Sequence, residues 1–389
     1  MSLVIDYSNG VFEAVPSGET VGTITGNATL DLTSGNLFNH TPTANTTFVF
    51  SNPPTTGSAY DMTLKVVGAN VTSGYDLANA SYDSVSVSVG TQDASPFDIQ
   101  FKTDGTKFYI VGSSNDAIFQ YSLSTAWDVS TASYESKSLS ISGQETSPYS
   151  LRFKPDGTSV YVLGQGNDTI YQYDLTTAWD ISTGSYASKS FSVASQDAAA
   201  RGLHFKPDGT KVYIAGNTND TVFQYSLSTA WDISTASYDS VSFSFSSQTT
   251  NPTALFFKPD GTEMFILGGF NSASVYKYTL STAWDLSTAS YSSVSFSVSS
   301  QDTSPFGIDF KYDDGLKMYI SGATNDVIYQ YSSASSSSSL ATIAWPSSVK
   351  WAGGTAPSAP ANGEKDVYNF FTLDGGTTYY GFQAGDAMA

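Results

Sequence analysis

The sequence of 389 residues predicts an all-β fold, a five-bladed β-propeller inserted into a discontinuous β-sandwich. A motif of the type Phe-Lys-Pro-Asp-Gly-Thr recurs every 52 or 53 residues, beginning at Phe101, Phe153, Phe205, Phe257 and Phe310. An Ala-Trp-Asp motif recurs at the same interval, with Trp127, Trp179, Trp231 and Trp284. The chain is also rich in Tyr (25) and Phe (24), which favour strands. A period of this length is typical of propellers and related repeat folds.

Within one repeat, the third, four strand-like segments follow one another: residues 202–206, 211–215, 221–225 and 238–245. Asp208-Gly209 between the first two has the composition of a tight turn. The last segment alternates apolar and serine residues, which is typical of a half-exposed strand, whereas the first is more continuously apolar. Four antiparallel strands ordered from buried to exposed describe a propeller blade.

The phase of the repeat predicts how the ring closes. An alternating segment at 82–89 precedes the first motif, and the last repeat ends at Tyr331 without its own fourth strand. We therefore expect 82–89 to complete the last blade and remove an open edge, giving a propeller over 75–331. Two single-residue insertions, near Gly268–Asn271 and in Tyr312–Gly315, fall in predicted turns, where insertions are tolerated.

The segments on either side of the propeller differ from it. Residues 1–72 and 341–389 contain shorter alternating segments, and the Ser-rich stretch 332–340 has the composition of a linker. Each flank is small for an independent domain, so we expect the two to pair into one discontinuous β-sandwich that anchors the propeller. Two separate small modules remain the alternative.

Charge and composition exclude several classes of partner and cofactor. A net charge of -19 argues against nucleic acid and anionic membranes, because both require a basic surface. The absence of cysteine excludes disulfides and cysteine-ligated zinc. The first residues, Met1–Tyr7, lack the features of a secretory signal, and no apolar run is long enough to span a membrane. We expect no cofactor.

The sequence gives little support for a catalytic site or a metal site. The Asp-Gly turns offer about one carboxylate each, whereas calcium needs six to eight oxygen ligands, so hairpin chemistry explains them better. The histidines, His40 and His204, lie in no nucleophile or metal motif. A carboxylate pair for glycoside hydrolysis remains open, because the spacing of the acids in space is not visible in the sequence.

Two further sets of residues are candidates for a site. One set carries polar groups at one rim of the propeller, and the other varies from repeat to repeat. Gln-acid pairs such as Gln92-Asp93 precede the inner strands, and we favour hydrogen bonding from blade to blade for them over binding of a cation or of sugar hydroxyls. The most variable inner-strand position holds Gln100, Arg152, His204, Phe256 and Asp309. If it faces the axial channel, it forms either a ligand site or a set of unselected residues in a water-filled channel, and we favour the latter.

Segments of the flanks resemble a small β module of tailed-phage virion proteins, especially of marine phages: residues 31–38, 46–54, 345–351 and 374–386. The repeat, with its Phe-Lys-Pro-Asp-Gly-Thr and Ala-Trp-Asp-Ile-Ser-Thr phrases, is similar to repeats of phage fibre-like proteins. Neither resemblance carries a catalytic motif. The resemblance implies a non-enzymatic virion protein on the tail or capsid surface, with other virion proteins and copies of itself as partners.

The same resemblance suggests a role for the two insertions. A projecting propeller would attach to a host-surface glycan, and exposed aromatic side chains could stack on sugar rings. The candidate glycan contacts are Phe270, Asn271, Tyr312 and Asp313. Two alternatives stay open: a tailspike-like polysaccharide depolymerase, and a purely structural decoration protein of the capsid or tail.

Overall fold

A computed structural model describes residues 2–6, 11–15, 22–24, 29–32, 36–42, 46–53, 60–68, 70–72, 74–270, 272–335 and 338–388. The chain divides into two compact units. One comprises Met1–Ser73 together with Ser336–Ala389, and the other is the continuous segment Gly74–Ser335. Within the described residues, the helices are single 3₁₀ turns, and none has the length and apolarity needed to cross a membrane.

The first part of the discontinuous unit contributes short strands: β1 (Ser2–Asp6), β2 (Val11–Val15), β3 (Gly22–Ile24), β4 (Thr29–Asp31), β5 (Leu37–His40), β6 (Thr46–Thr47), β7 (Val49–Ser51), β8 (Tyr60–Val67) and β9 (Asn70–Thr72). Strands β1 and β2 form an antiparallel pair, and β4 pairs with β7 in parallel. In β8 the side chains alternate between buried and half-exposed, as the alternating sequence predicts.

The continuous unit begins with β10 (Ser81–Ser88) and then repeats a four-stranded pattern. Its strands are β11 (Pro96–Phe101), β12 (Lys107–Gly112), β13 (Ala117–Leu123), β14 (Ala132–Ser140), β15 (Pro148–Phe153), β16 (Ser159–Gly164), β17 (Thr169–Leu175), β18 (Gly184–Ser192), β19 (Ala200–Phe205), β20 (Lys211–Gly216), β21 (Thr221–Leu227), β22 (Ala236–Ser244), β23 (Pro252–Phe257), β24 (Glu263–Gly268), β25 (Ser274–Leu280), β26 (Ala289–Ser297), β27 (Pro305–Phe310), β28 (Lys317–Gly322) and β29 (Val327–Ser332).

These strands form five antiparallel sheets of four strands, which are the blades of a propeller. Blades 1 to 4 are β11–β14, β15–β18, β19–β22 and β23–β26, and blade 5 combines β27–β29 with β10. The pairing of β10 with β29 brings Tyr82 opposite Tyr331 and Ser88 opposite Val327. The first strand of the ring therefore completes the last blade, so that all five blades have four strands.

After the propeller, the remaining strands are β30 (Ser338–Leu340), β31 (Ile343–Ala344), β32 (Val349–Trp351), β33 (Lys365–Thr372) and β34 (Tyr379–Met388). Strand β33 pairs with β8, so the two flanks meet in one six-stranded sheet ordered β3-β5-β8-β33-β34-β32. Its buried face packs on residues of the shorter strand pairs, including Leu30 and Phe48, to form one core. The predicted fold class, a five-bladed propeller inserted into a discontinuous β-sandwich, is confirmed.

The repeated motifs build the blades. In blade 1, Phe101 stacks on Trp127 with ring centroids 5.3 Å apart. Gly105 has φ +70°, and a Cβ there would lie 2.3 Å from the Trp127 indole, so the Asp-Gly turn needs glycine for both space and conformation. The Tyr109 hydroxyl donates to the Trp179 carbonyl of blade 2 at 2.6 Å. These motifs therefore join strands and neighbouring blades.

Candidate functional site

A cavity of about 60 Å³ lies on the propeller axis, at the end where the inner strands finish. The inner strands β11, β15, β19, β23 and β27 surround it and pack side by side. Besides one side chain from the variable position of each inner strand, its wall consists of aromatic residues, prolines and a threonine: Phe101, Thr103, Trp127, Phe153, Pro155, Trp179, Phe205, Pro207, Trp231, Phe257, Pro259, Phe310 and Tyr312.

The variable inner-strand position lines this cavity. Gln100, Arg152, His204, Phe256 and Asp309 all contribute to its wall. A repeat that is otherwise uniform thus places five different side chains around one small space. On the sequence alone, unselected variation is favoured over a ligand site at this position, and the geometry of the charged members bears on that choice.

Arg152 holds the centre of the cluster through a buried ion pair with Asp98. Its Nη1 donates to Asp98 Oδ2 at 2.7 Å, and the two side chains are only 5% and 1% exposed. Its Nη2 donates across the axis to the Leu255 carbonyl of blade 4 at 3.2 Å. Asp98 also accepts from the Ser150 hydroxyl and the Leu151 amide. Burial raises the pKa of Asp98, although Arg152 and these hydrogen bonds oppose the rise.

Asp309 is a second buried carboxyl beside the same guanidinium. It is 7% exposed, and its Oδ2 accepts from the Phe101 amide at 2.7 Å. Burial raises the pKa of Asp309 to about 7, with a smaller contribution from the Asp98 charge and with Arg152 acting in the opposite direction. The carboxyl therefore exchanges its proton near neutral pH, which is the range that suits an acid-base group.

His204 completes the polar part of the wall as a neutral imidazole. Burial, and then the positive charge of Arg152, hold its pKa well below its ordinary value. The ring packs between Phe256, at a centroid distance of 5.2 Å, and Trp284. Its Nδ1 is buried and has no hydrogen-bond partner among the described residues. His204 thus carries an unsatisfied polar atom beside the cavity.

The structure places the described members of the predicted glycan contacts at two different ends of the propeller. Phe270 lies in the loop between β24 and β25 and is 58% exposed, whereas Tyr312 lies in the loop between β27 and β28 and is 38% exposed. Those loops are at opposite ends of the inner strands. Asp313 is exposed near the Lys311 amine, and Asn271 lies outside the described residues. Of the three described residues, Tyr312 lines the axial cavity; a ligand role for any of them stays a prediction.

The polar groups at the other rim serve the scaffold. Asp93 accepts from the Ser95 amide at 2.8 Å and the Asn115 amide at 3.0 Å, and Gln92 accepts from the Tyr121 hydroxyl. These bonds close loops within blade 1 and leave the carboxylate engaged. In the parts of the chain that the structure describes, no group of three or more histidines and carboxylates is arranged to hold a metal ion.

Sequence reasoning missed Asp98, although a signal for it exists. The equivalent position in the other blades holds a small residue: Ser150, Gly202, Ala254 and Gly307. A carboxylate among small residues, one blade before Arg152, marks the ion pair. Its significance depends on knowing that the two inner strands are neighbours with their side chains facing each other.

The fold and its cavity define a β-propeller with an asymmetric charged site on the axis. A family model described as "Lactonase, 7-bladed beta-propeller" matches residues 77–282, more than half of the chain. The chain belongs to this lactonase propeller family. The family description counts seven blades, whereas the described propeller has five.

No curated protein sequence matches the chain. Among solved structures, a functionally unknown protein from Desulfotomaculum acetoxidans is 14% identical, over 58% of this chain and 62% of that chain, with a TM-score of 0.37. The periplasmic gluconolactonase of Pseudomonas aeruginosa is 14% identical, over 52% and 54%, with a TM-score of 0.36. In both cases the match spans less than two thirds of the other protein.

The family assignment overturns the expected virion role. The resemblance to tailed-phage proteins was wrong, and with it the non-enzymatic assignment, the virion location, and virion proteins, self-copies or host glycan as partners. The same finding contradicts the two alternatives, a polysaccharide depolymerase and a decoration protein. The reason is physical. The repeat motifs on which part of the resemblance rested consist of residues such as Phe101, Gly105 and Trp127, which pack the blade. Such residues are needed wherever this blade is built, so they do not indicate where the protein acts.

Proposed function

We propose that this chain hydrolyses a lactone at the axial cavity, with Asp309 as the general base. Membership of the lactonase propeller family supports the reaction class. The observation that carries the assignment to this site is the buried Asp309 carboxyl, whose pKa is raised to about 7 in a cavity beside a buried guanidinium. Strongly shifted titratable groups in a cavity are the physical signature of a reactive site.

The reaction requires a base and a positive charge, and the cavity offers both. Asp309 in its ionised form takes a proton from a water molecule as the water oxygen attacks the lactone carbonyl carbon. Negative charge develops on the carbonyl oxygen and is stabilised by the fixed guanidinium of Arg152. The ring C–O bond then breaks, the proton returns from Asp309 to the departing ring oxygen, and the product is a hydroxy acid.

The size of the cavity limits how the substrate enters. A volume of about 60 Å³ accommodates roughly four to six water molecules, which is less than a sugar-sized ring needs. The reacting water therefore occupies the cavity, and the lactone ring lies at its mouth with the carbonyl directed inward. The prolines and indoles of the wall, with Tyr312, supply flat surfaces for the C–H groups of such a ring.

Purified protein should hydrolyse glucono-δ-lactone or a simple δ-lactone faster than buffer, measured by proton release in a weakly buffered assay. Asp309→Asn should lower kcat by about 100-fold or more, because general bases contribute at least that much. Asp313→Asn removes an exposed carboxylate from the adjacent turn and is the matched control, which should retain full activity. No hydrolysis of any lactone in a panel of ring sizes, or full activity in Asp309→Asn, would refute the proposal.

A further inference from the structure

The opposite end of the propeller axis carries a second ring of unlike side chains. Each inner strand has an irregularity near its start; in β11 the register steps from Pro96 opposite Gly112 to Asp98 opposite Val111. The extra residue is a β-bulge, which turns its side chain away from the regular alternation. The five bulge residues are Phe97, Tyr149, Arg201, Thr253 and Phe306.

Aromatic rings close this end of the axis. Phe97 stacks on Phe306 with centroids 4.3 Å apart and lies 4.8 Å from the Tyr149 ring. Phe270, from the loop that contains the insertion in blade 4, packs edge-on against Phe306 at 5.8 Å. Phe97 and Tyr149 are partly exposed and Phe270 is largely so, whereas Phe306 is only 5% exposed and supports the other rings from below. The rings thus form an apolar surface that a flat molecule can contact.

Arg201 lies at the edge of this surface and is fixed in place. Its guanidinium carbon is 5.1 Å from the centroid of the Tyr149 ring, a cation-π contact. Its Nη1 donates to the Asn251 side-chain oxygen and to the Pro252 carbonyl. Its Nε is buried without a partner, and its Nη2 makes no hydrogen bond to the described residues. The guanidinium therefore keeps donor capacity unused.

The charge of Arg201 is not neutralised by a contact. In the described propeller, residues 74–270 and 272–335, every lysine and Arg152 have a carboxylate oxygen within 4.0 Å, whereas Arg201 has none. Asp197 acts on it only from a distance, and its oxygens accept from loop amides such as that of Ala199. The protein has a net charge of -19, and the other cations of the described propeller each have a carboxylate nearby. Arg201, fixed beside aromatic rings without such a partner, differs from all of them.

We propose that Arg201, Tyr149 and the exposed rings of Phe97 and Phe270, with the buried Phe306 ring beneath them, form a binding site for a small aromatic carboxylate. The guanidinium pairs with the carboxylate, and charge-assisted bonds of this kind are the stronger class of hydrogen bond. The apolar rings receive the ligand ring by stacked or edge-on contact. The site lies at the other end of the axis from Asp309 and uses none of the groups assigned to lactone hydrolysis.

Benzoate is the probe for this site, titrated into the full-length protein and followed by calorimetry and by chemical-shift changes. Benzoate should bind saturably, whereas benzamide, which lacks the charge, and acetate, which lacks the ring, should each bind roughly tenfold more weakly or worse. Arg201→Gln and Tyr149→Leu should each weaken benzoate binding by a similar factor. Arg201→Lys keeps a charge but loses the planar fork, and should retain part of the affinity.

Lys189→Gln is the matched control, because it removes a cation that already pairs with Asp232 at 2.8 Å. It should leave benzoate affinity unchanged. The melting temperature of each variant shows whether the fold is retained, so that lost binding is not mistaken for unfolding. No saturable binding, equal binding of benzoate and benzamide, unchanged affinity in Arg201→Gln, or shifts confined to the axial cavity would each overturn the proposal.

Discussion

The two arginines of the propeller lie on neighbouring inner strands, β15 and β19, and have opposite surroundings. Arg152 is almost fully buried, pairs with Asp98 at 2.7 Å and reaches across the axis to blade 4. Arg201 is partly exposed, contacts the Tyr149 ring and has no carboxylate within 4.0 Å among the described residues. One cation is compensated within the protein and lines the cavity proposed for lactone hydrolysis. The other is left uncompensated and is available to an external anion.

The largest expected effect of this difference is on stability. Arg152→Gln leaves Asp98 buried without its partner, and breaking such a pair costs about 3–5 kcal/mol. Arg201→Gln removes no ion pair but loses the cation-π contact and hydrogen bonds of the guanidinium, and should cost about 1–2 kcal/mol. Urea denaturation of the two variants measures both free energies of unfolding. Equal losses would show that the two environments are energetically alike.

A double variant sharpens this comparison. Asp98→Ala introduces the residue that blade 4 has at the same position, Ala254. Combined with Arg152→Gln, it removes the stranded carboxylate and should recover a large part of the lost stability, because replacing both members of a buried pair is far less costly than replacing one. If the double variant is as unstable as the sum of the two single variants, the pair is not coupled.

The second effect concerns pH. The pKa of Asp309 is about 7 in the folded protein against an ordinary value of 3.8, so the folded state binds one more proton than the unfolded state between those values. The resulting stabilisation is complete below pH of about 4 and is lost as the pH rises through about 7, a change of a few kcal/mol. Asp98, whose pKa is also raised, acts in the same direction.

The contribution of Asp309 is isolated by comparing wild type with Asp309→Asn at each pH. The difference in the free energy of unfolding should shift in favour of the variant as the pH rises from about 4 to about 7, then stay level. The rate of lactone hydrolysis by the wild type should instead rise as the pH increases through about 7, because the general base must be ionised. A constant difference in stability would mean that this carboxyl titrates at its ordinary pKa.

Much of the fold was predictable from the sequence because the residues that form the turns and pack the strands recur in every repeat. Asp-Gly turns need positive φ, and Trp127 and its equivalents stack on the motif phenylalanines in blades 1 to 4. In blade 5 Tyr75 takes the place of the tryptophan and packs on Phe310 at 5.1 Å. The missing fourth strand of the last repeat was equally visible, because an alternating segment precedes the first motif.

The residues of the two proposed sites were harder to predict, and the reasons differ at the two ends of the axis. At the cavity, the variable position was found, but its significance depends on Asp98, which belongs to a different blade from Arg152. At the other end, the regular alternation of the inner strand gives no reason to direct Phe97 or Arg201 toward the axis. A β-bulge directs them there, and its register shift is a property of the pairing between strands.

The smallest effects should separate the two ends by ligand. Tyr312 lines the mouth of the cavity and Phe270 borders the ring at Arg201, so each is an exposed aromatic side chain at one end only. Tyr312→Ala should raise KM for a lactone by a few-fold with little change in kcat, because it removes contact area without touching the reacting groups. Phe270→Ala should weaken benzoate binding by a few-fold. Each variant should leave the other ligand unaffected, and a crossed effect would mean that the two ends of the axis are coupled rather than independent.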